Sequence, residues 1–296
     1  MNNTAAGLDR LRITDDQIDA YQRDGAVLIR GVLSVEEIAL LEAGLEEVQA
    51  RPSAMFSRVA AADGTGETIV DQLPSLRSPL LQRLIRQSPA AELAARMMRV
   101  RSAQLVLDQV FYKQAGRVVP TPWHQDTPFL RVRGHDMTRV WLTCDPSPRD
   151  VTVEVVRGSH LWNVVYDTAT MAASSSVATT AEGSAFSYTG IGDEARPAVP
   201  DIEAHRGSFD IIGFDVEPGD AVVFHGNILH GASGKAAHPH RRRAFATMWG
   251  GPELRHHQPQ GHAMPLPGNE GDKTIPQGAR IGDHTDAFPL YWRADR

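Results

Sequence analysis

A mainly β architecture, a sandwich or jelly roll braced by N-terminal helices, is the fold class this sequence predicts. Three observations carry the prediction. From Gln104 onward the chain breaks into short runs rich in Val, Leu, Phe and Tyr, separated by Pro, Gly and Asp. Many short strands with turn signals between them suit two packed antiparallel sheets better than a parallel α/β sheet. Residues 1–100 instead carry helix signals, namely capping boxes and apolar residues at helical spacing. Finally, no G-x-G-x-x-G follows a strand, no Walker sequence occurs, and no internal repeat is visible, so nucleotide-binding folds lack support. The 296 residues read as a single domain, 1–296: a mainly helical part over 1–100, a core over 104–250 with an insertion at 167–200, and a tail over 251–296.

The elements follow in order. Thr14-Asp15-Asp16-Gln17 is a capping-box pattern that opens a short helix, which Gly25 should stop. Residues 26–30 form a brief apolar strand. Ser34-Val35-Glu36-Glu37 is a second capping box, after which Ile38, Leu41, Leu45 and Val48 recur at helical spacing. The glycine-rich stretch 61–66 reads as a loop. Ser88-Pro89 opens another helix, with Pro at the first helical position, running to about Met98. Strands are expected over 104–112, 138–143, 151–156, 209–216, 221–225 and 243–249. The insertion 167–200 is rich in Ala, Ser, Thr and Gly, with Phe186 and Tyr188 its only aromatics. A segment that long inside a compact domain reads as an active-site lid or a disordered insertion. The tail is crowded with Gly, Pro and His, and its end, Phe288-Pro289-Leu290-Tyr291-Trp292, should dock on the body. His256, His257, His262 and His284 show no ligand spacing and read as surface or packing residues.

Composition narrows the class of function. A formal net charge of −6 argues against nucleic acid or an anionic membrane as the partner. No stretch approaches the roughly 20 apolar residues of a membrane helix, and the first residues contain no apolar core of a signal peptide. A soluble, cytoplasmic protein acting on a small molecule is the expectation. The single cysteine, Cys144, rules out an intramolecular disulfide and reads as a small buried hydrophobe in its apolar run. Arg131, Arg133 and Arg139 cluster after the first candidate motif; they either face an anionic substrate or line a solvated strand face.

That motif is His124-Gln125-Asp126. On a strand, residues two apart share a face, so imidazole and carboxylate point the same way. A second histidine, His230 in VVFHGNILHGASG, follows about a hundred residues later, with His225 as the alternative, inside the apolar strand. His160 follows a tight turn and reads as structural. Two histidines and one carboxylate make a facial triad that leaves coordination positions open. Zinc also suits such ligands, whereas calcium and magnesium want more oxygens. Arg241-Arg242-Arg243, on the next strand, offers a guanidinium fork for a carboxylate. Metal triad and carboxylate clamp together point to an iron enzyme that uses a 2-oxo acid.

The segments ITDDQIDAYQRDGAVLIRGVLSVEEI, LDQVFYK, TPWHQD, VWLTCD, EVVRGSH, EPGDAVVFHGNILHGASG and RRRAF, in that order, resemble the phytanoyl-CoA dioxygenase family of Fe(II)/2-oxoglutarate oxygenases. The resemblance implies a double-stranded β-helix, a cupin-like jelly roll braced by N-terminal helices. It implies Fe(II) as metal, with 2-oxoglutarate and O2 as co-substrates. His124, Asp126 and His230 would be the catalytic metal ligands, and Arg242 would pair with the distal carboxylate of 2-oxoglutarate. Arg241 and Arg243 stand as alternatives, because strand parity is open here. Lys113 and Trp141 fall where the family places co-substrate contacts. The chain departs from the family at Ala232, where Ser is frequent after HG, at Pro146-Ser147-Pro148-Arg149-Asp150, and at Arg157, which replaces a proline. Asp126 itself argues for oxygenation, since halogenating relatives carry a small residue there. The activity implied is hydroxylation of an aliphatic C–H bond in a small natural-product or catabolic substrate, with succinate and CO2 as co-products. Desaturation, epoxidation and ring closure use the same chemistry, and an acyl-CoA is the alternative substrate. The rival class is a cupin-like metal or ligand-binding protein or isomerase without O2; the Arg242 strand argues against it.

Overall fold

In the computed structural model, residues 11–53, 55–60, 67–116, 119–169, 179–180, 195–232, 238–259, 266–268 and 275–295 are described. Helix α1 (Asp15–Asp24) starts at a complete capping box, the Thr14 hydroxyl accepting from Gln17 N and the Gln17 side chain accepting from Thr14 N. It stops at Gly25, whose φ of 80° is costly for any residue with a Cβ. Strand β1 (Ala26–Ile29) follows, then α2 (Val35–Ala50), opened by the reciprocal Ser34–Glu37 box. Two short strands, β2 (Ser57–Ala60) and β3 (Glu67–Gln72), interrupt the helical region where the sequence predicts none. Helix α3 (Pro79–Gln87), capped by Ser78 with Pro79 at its first turn, was likewise not expected. In α4 (Ala90–Met98), Pro89 takes the cap position rather than the first helical one.

The remaining strands are β4 (Ser102–Lys113), β5 (Thr121–His124), β6 (Val132–Arg133), β7 (Met137–Thr143), β8 (Glu154–Val156), β9 (Thr179–Thr180), β10 (Ile211–Gly213), β11 (Ala221–His225), β12 (His230–Ala232), β13 (Arg242–Gly250), β14 (Arg255–His256) and β15 (Leu290–Arg293). They form a nine-stranded antiparallel sheet in the order β1-β11-β7-β13-β4-β3-β2-β9, with β15 paired to β4. A four-stranded sheet, β10-β8-β12-β5, faces it, and β14 pairs β6 separately. The strands expected at 151–156 and 209–216 shrink to three residues each. Val151 N donates to Pro148 O and the Thr152 hydroxyl to Phe214 O, so the β-branched residues before Glu154 serve a turn instead of a ladder.

Alternation along the strands sorts the side chains into layers. Tyr112, Val140, Leu142, Val223, Phe245 and Trp249 leave the large sheet on the side where Leu41, Leu45, Leu81 and Leu93 of the helices bury them. The opposite face carries Val222 and Phe224, which pack against Val155 of the small sheet. Trp123, Val156 and Leu229 cover the small sheet's outer face. This is the jelly roll the sequence predicts: two sheets enclosing a core, with helices outside the larger one. The tail docks as expected. Phe288 is fully buried at one end of the barrel, and β15 extends the large sheet. The loop 61–66, His262 and most of the insertion 167–200 lie outside the described residues; at the insertion's base Asp167 N donates to Pro197 O, 2.9 Å away.

Candidate metal centre and acid clamp

His124 ends β5 and His230 begins β12, and the register sets the two residues directly opposite each other. Both rings therefore leave the same inner face, with centroids 4.2 Å apart. Each Nδ1 lies against the carbonyl two residues back, Pro122 O at 2.8 Å and Ile228 O at 3.1 Å. A carbonyl only accepts, so each Nδ1 carries the proton and each Nε2 keeps its lone pair for a ligand. Asp126 stands just past β5, at the start of a 3-10 turn over Thr127–Phe129. Its Oδ1 is 4.0 Å from His124 Nε2 and 3.8 Å from His230 Nε2. Ligand atoms of the three side chains lie within 4.8 Å of one another, the one such group of His, Cys, Asp or Glu among the described residues. Donors about 2.1 Å from one ion on a facial site lie about 3 Å apart, so side-chain movements of about an ångström would draw these three onto a shared ion. Two neutral imidazoles and one carboxylate, with no thiolate, suit ferrous iron.

Electrostatics keep the three groups in their ligand forms. Burial drives the His124 imidazole below its ordinary value, and burial together with His124 takes His230 down to about 3. Both are neutral at physiological pH. Burial pushes the Asp126 carboxyl upward, but Arg139 above all, with His230 and His124, brings it below the usual carboxylate value. Arg139 Nε lies 2.9 Å from Asp126 Oδ2. Gln125, between the two ligands, points the other way and satisfies its whole amide. Its Nε2 donates to Val164 O and Asn227 O, and its Oε1 accepts from Tyr166 N. That lashing fixes the turn carrying Asp126, as does the bond from Asp126 N to Gly226 O.

The second half of the site lies on the large sheet. Of the three consecutive arginines, Arg242 is the one on the inner face. Arg243 turns outward, gripping Asp145 through two bonds of 2.9 and 2.8 Å and Glu42 of α2 at 2.7 Å. Arg241 is exposed, with Glu46 3.9 Å away. Arg242 is buried, yet only its Nη1 finds a protein acceptor, Val151 O at 3.3 Å; Nε and Nη2 have none. Lys113 lies directly across from it on β4, and Thr68 across from Lys113 on β3. Burial, then Arg242, lowers the Lys113 ammonium to about 8. The Thr68 hydroxyl oxygen is also buried without a protein partner. Two cations and an unsatisfied hydroxyl in one cross-strand row are a donor set that would suit a carboxylate. Trp141 is half-buried among the apolar residues between the sheets.

The structure thus brings His124, Asp126 and His230 together and sets Arg242 and Lys113 on one row. His225 faces the helices, its ring packed at a tilt against those of His160 and His135. Two members of the arginine cluster after the motif, Arg133 and Arg139, are neither on a solvated face nor free to contact a substrate. Arg139 is buried on Asp126, and Arg133 Nη1 caps the carbonyls of Thr127, Leu130 and Val132. Cys144 is half-buried against the helical core, its thiol pushed up to about 12 by burial. The sequence reading missed Thr68, Gln109 and the role of Arg139. None carries a local signal, because each acts across strands distant in sequence.

The family model described as phytanoyl-CoA dioxygenase matches residues 21–244. Solved structures of similar fold include the epimerase SnoN from nogalamycin biosynthesis, in complex with Fe3+, alpha ketoglutarate and nogalamycin RO. It is 20% identical with a TM-score of 0.69, covering 94% of this chain and 98% of that one. The alpha ketoglutarate dependent carbocyclase SnoK, also from nogalamycin biosynthesis, is 16% identical with a TM-score of 0.66, covering 94% and 96%. EctD from S. alaskensis, solved with 2-oxoglutarate and 5-hydroxyectoine, is 18% identical with a TM-score of 0.63, covering 93% and 88%. At these identities the likeness shows the fold. No curated protein sequence matches the chain. Among the described residues no helix is long and apolar enough to cross a membrane.

Proposed function

The chain belongs to the phytanoyl-CoA dioxygenase family, and on that premise we propose that it is an Fe(II)- and 2-oxoglutarate-dependent oxygenase that hydroxylates an aliphatic C–H bond of a small natural-product or catabolic molecule. The observation that carries this reading is the pairing of two half-sites. A one-ion triad stands on the small sheet, and a buried guanidinium with two unpartnered nitrogens stands on the large sheet facing it.

His124 and His230 would present Nε2, and Asp126 its Oδ1, to one side of the ion. Arg242 and Lys113 would hold the far carboxylate of 2-oxoglutarate, with the Thr68 hydroxyl beside them. Thr68 then supplies a hydroxyl that Ala232, where the family often has serine, does not. When bound, iron and keto acid supply the oxygen-activating chemistry, with O2 consumed and succinate and CO2 released. Phe224, packed on His230 at a ring distance of 4.9 Å, and Val222 give the inner face beside the triad an apolar lining. A metal-binding protein without O2 chemistry gives the unpartnered nitrogens of Arg242 no task. The epimerase and carbocyclase among the solved structures show that this fold hosts outcomes besides hydroxylation.

Two measurements test the proposal. Anaerobic Fe(II) and 2-oxoglutarate should give a weak visible charge-transfer band with the wild-type protein and none with Asp126→Ala. Succinate release should then rise when the right small molecule is added from a panel, and mass spectrometry of that molecule should show one added oxygen. Absence of both band and succinate would remove the oxygenase reading; a product without added oxygen would replace hydroxylation by another outcome.

A further inference from the structure

The two oxygens of Asp126 have different neighbours. Oδ1 faces the imidazoles, whereas Oδ2 lies 2.9 Å from Arg139 Nε. Arg139 stands on β7 of the opposite sheet, is 4% exposed, and has its Nη1 bonded to Gln109 Oε1 at 2.6 Å. Gln109 belongs to β4, two strands away, and on the intervening β13 its cross-strand partner is Ala246, which offers only a methyl group there. One planar guanidinium is therefore fixed at one edge by a buried amide, and its Nε forms a close ion pair, out of line for a hydrogen bond, with a single carboxylate oxygen.

We infer that Arg139 is a positioning residue for Asp126: it holds Oδ2 away from the metal, so that the carboxylate coordinates through Oδ1 alone. The inference rests on the reading of His124, Asp126 and His230 as the metal triad. Carboxylates chelate cations readily through both oxygens. With three single-atom protein ligands, an octahedral ion keeps three positions, enough for a chelating keto acid and dioxygen. A chelating Asp126 would take one of them. Charge neutralisation alone does not explain the arrangement, since any cation near Asp126 would achieve it. What the geometry uses is a guanidinium anchored by Gln109, whereas the flexible ammonium of lysine has no second edge to anchor.

The test loads the metal-free protein with Mn(II) and counts its inner-sphere waters by magnetic resonance, then titrates 2-oxoglutarate calorimetrically. Arg139→Met removes cation and fork, and Arg139→Lys keeps the charge, so that a folded variant is secured. Gln109→Met cuts the anchor and leaves the arginine. In both Arg139 variants Mn(II) should lose one water relative to wild type. Their 2-oxoglutarate affinity should fall about tenfold or more, the size usual for losing an outer-shell partner. Gln109→Met should shift the same way by less. An unchanged water count in both Arg139 variants overturns the inference, whatever the affinity does. A wild-type protein that binds no Mn(II) overturns the metal-triad reading and this inference with it.

Discussion

Replacing Arg242 by methionine separates a ligand-binding arginine from a structural one. In the folded chain its Nε and Nη2 have no protein acceptor, and Nη1 makes one long bond of 3.3 Å. Burial lowers its pKa, against a smaller opposing pull from Asp150. The unliganded protein thus carries much of the desolvation cost of a cation with little return. Methionine fills a similar volume without that cost, so the variant should melt within about 1 kcal/mol of wild type, or above it. Binding tells the opposite story. Two charge-assisted bonds to a carboxylate contribute about 1.5–3 kcal/mol each. Their joint loss is about 3–6 kcal/mol, or roughly 10²–10⁴-fold in affinity for 2-oxoglutarate. Denaturant titration of the metal-free protein and anaerobic calorimetry with Mn(II) and 2-oxoglutarate measure the two quantities. A variant destabilised by more than about 2 kcal/mol that still binds the keto acid normally would refute the reasoning.

Three further outcomes are expected. Arg243→Met leaves the partly buried Asp145 and the half-exposed Glu42 without their shared cation, and should cost about 1–3 kcal/mol in urea unfolding while sparing 2-oxoglutarate affinity. Gly231→Ala would put a Cβ 2.9 Å from the backbone carbonyl of Thr121, forcing β12 away from β5; Mn(II) affinity should fall at least tenfold, and unchanged affinity would sink this account of the strand pair. His160 and His225 are both held below the ordinary histidine value, by burial first. Because the unfolded chain takes up the extra protons below about pH 6.5, their contribution is complete above that pH and is lost as pH falls, by up to about 1.4 kcal/mol per unit for each group. His160→Gln keeps a donor for Gln22 O and should flatten the acid limb of the metal-free stability profile; an equally steep limb would exclude this histidine as a source.

What the sequence made legible was what is settled locally. Both capping boxes close within four residues, so the starts of α1 and α2 are written where they occur. The motif around His124 has the same character, since its carbonyl partner sits two residues away. Elements with weak local pattern, settled only by distant partners, were not legible. Strand β3 exists because it pairs Thr68 to Lys113 and Gln72 to Gln109, and α3 is held against α2, so neither stands out from the chain alone. Three consecutive arginines are indistinguishable until parity has an origin. Asp145 and Glu42 provide it, 98 and 201 residues before Arg243. The same blindness left Arg139 between a substrate contact and a solvated strand face, because its partner Asp126 adjoins it only after the two sheets meet.

The direct opposition of His124 and His230 has a consequence for how molecules reach the active form. Each histidine has an outward-facing apolar neighbour, Trp123 or Leu229. A slip of β5 against β12 by one residue would put an indole or an isobutyl group where an imidazole belongs. Such a mispaired molecule could not capture the ion and would forgo the stabilisation that capture brings. Metal uptake at this pair would therefore favour the aligned register of the two strands over the slipped one.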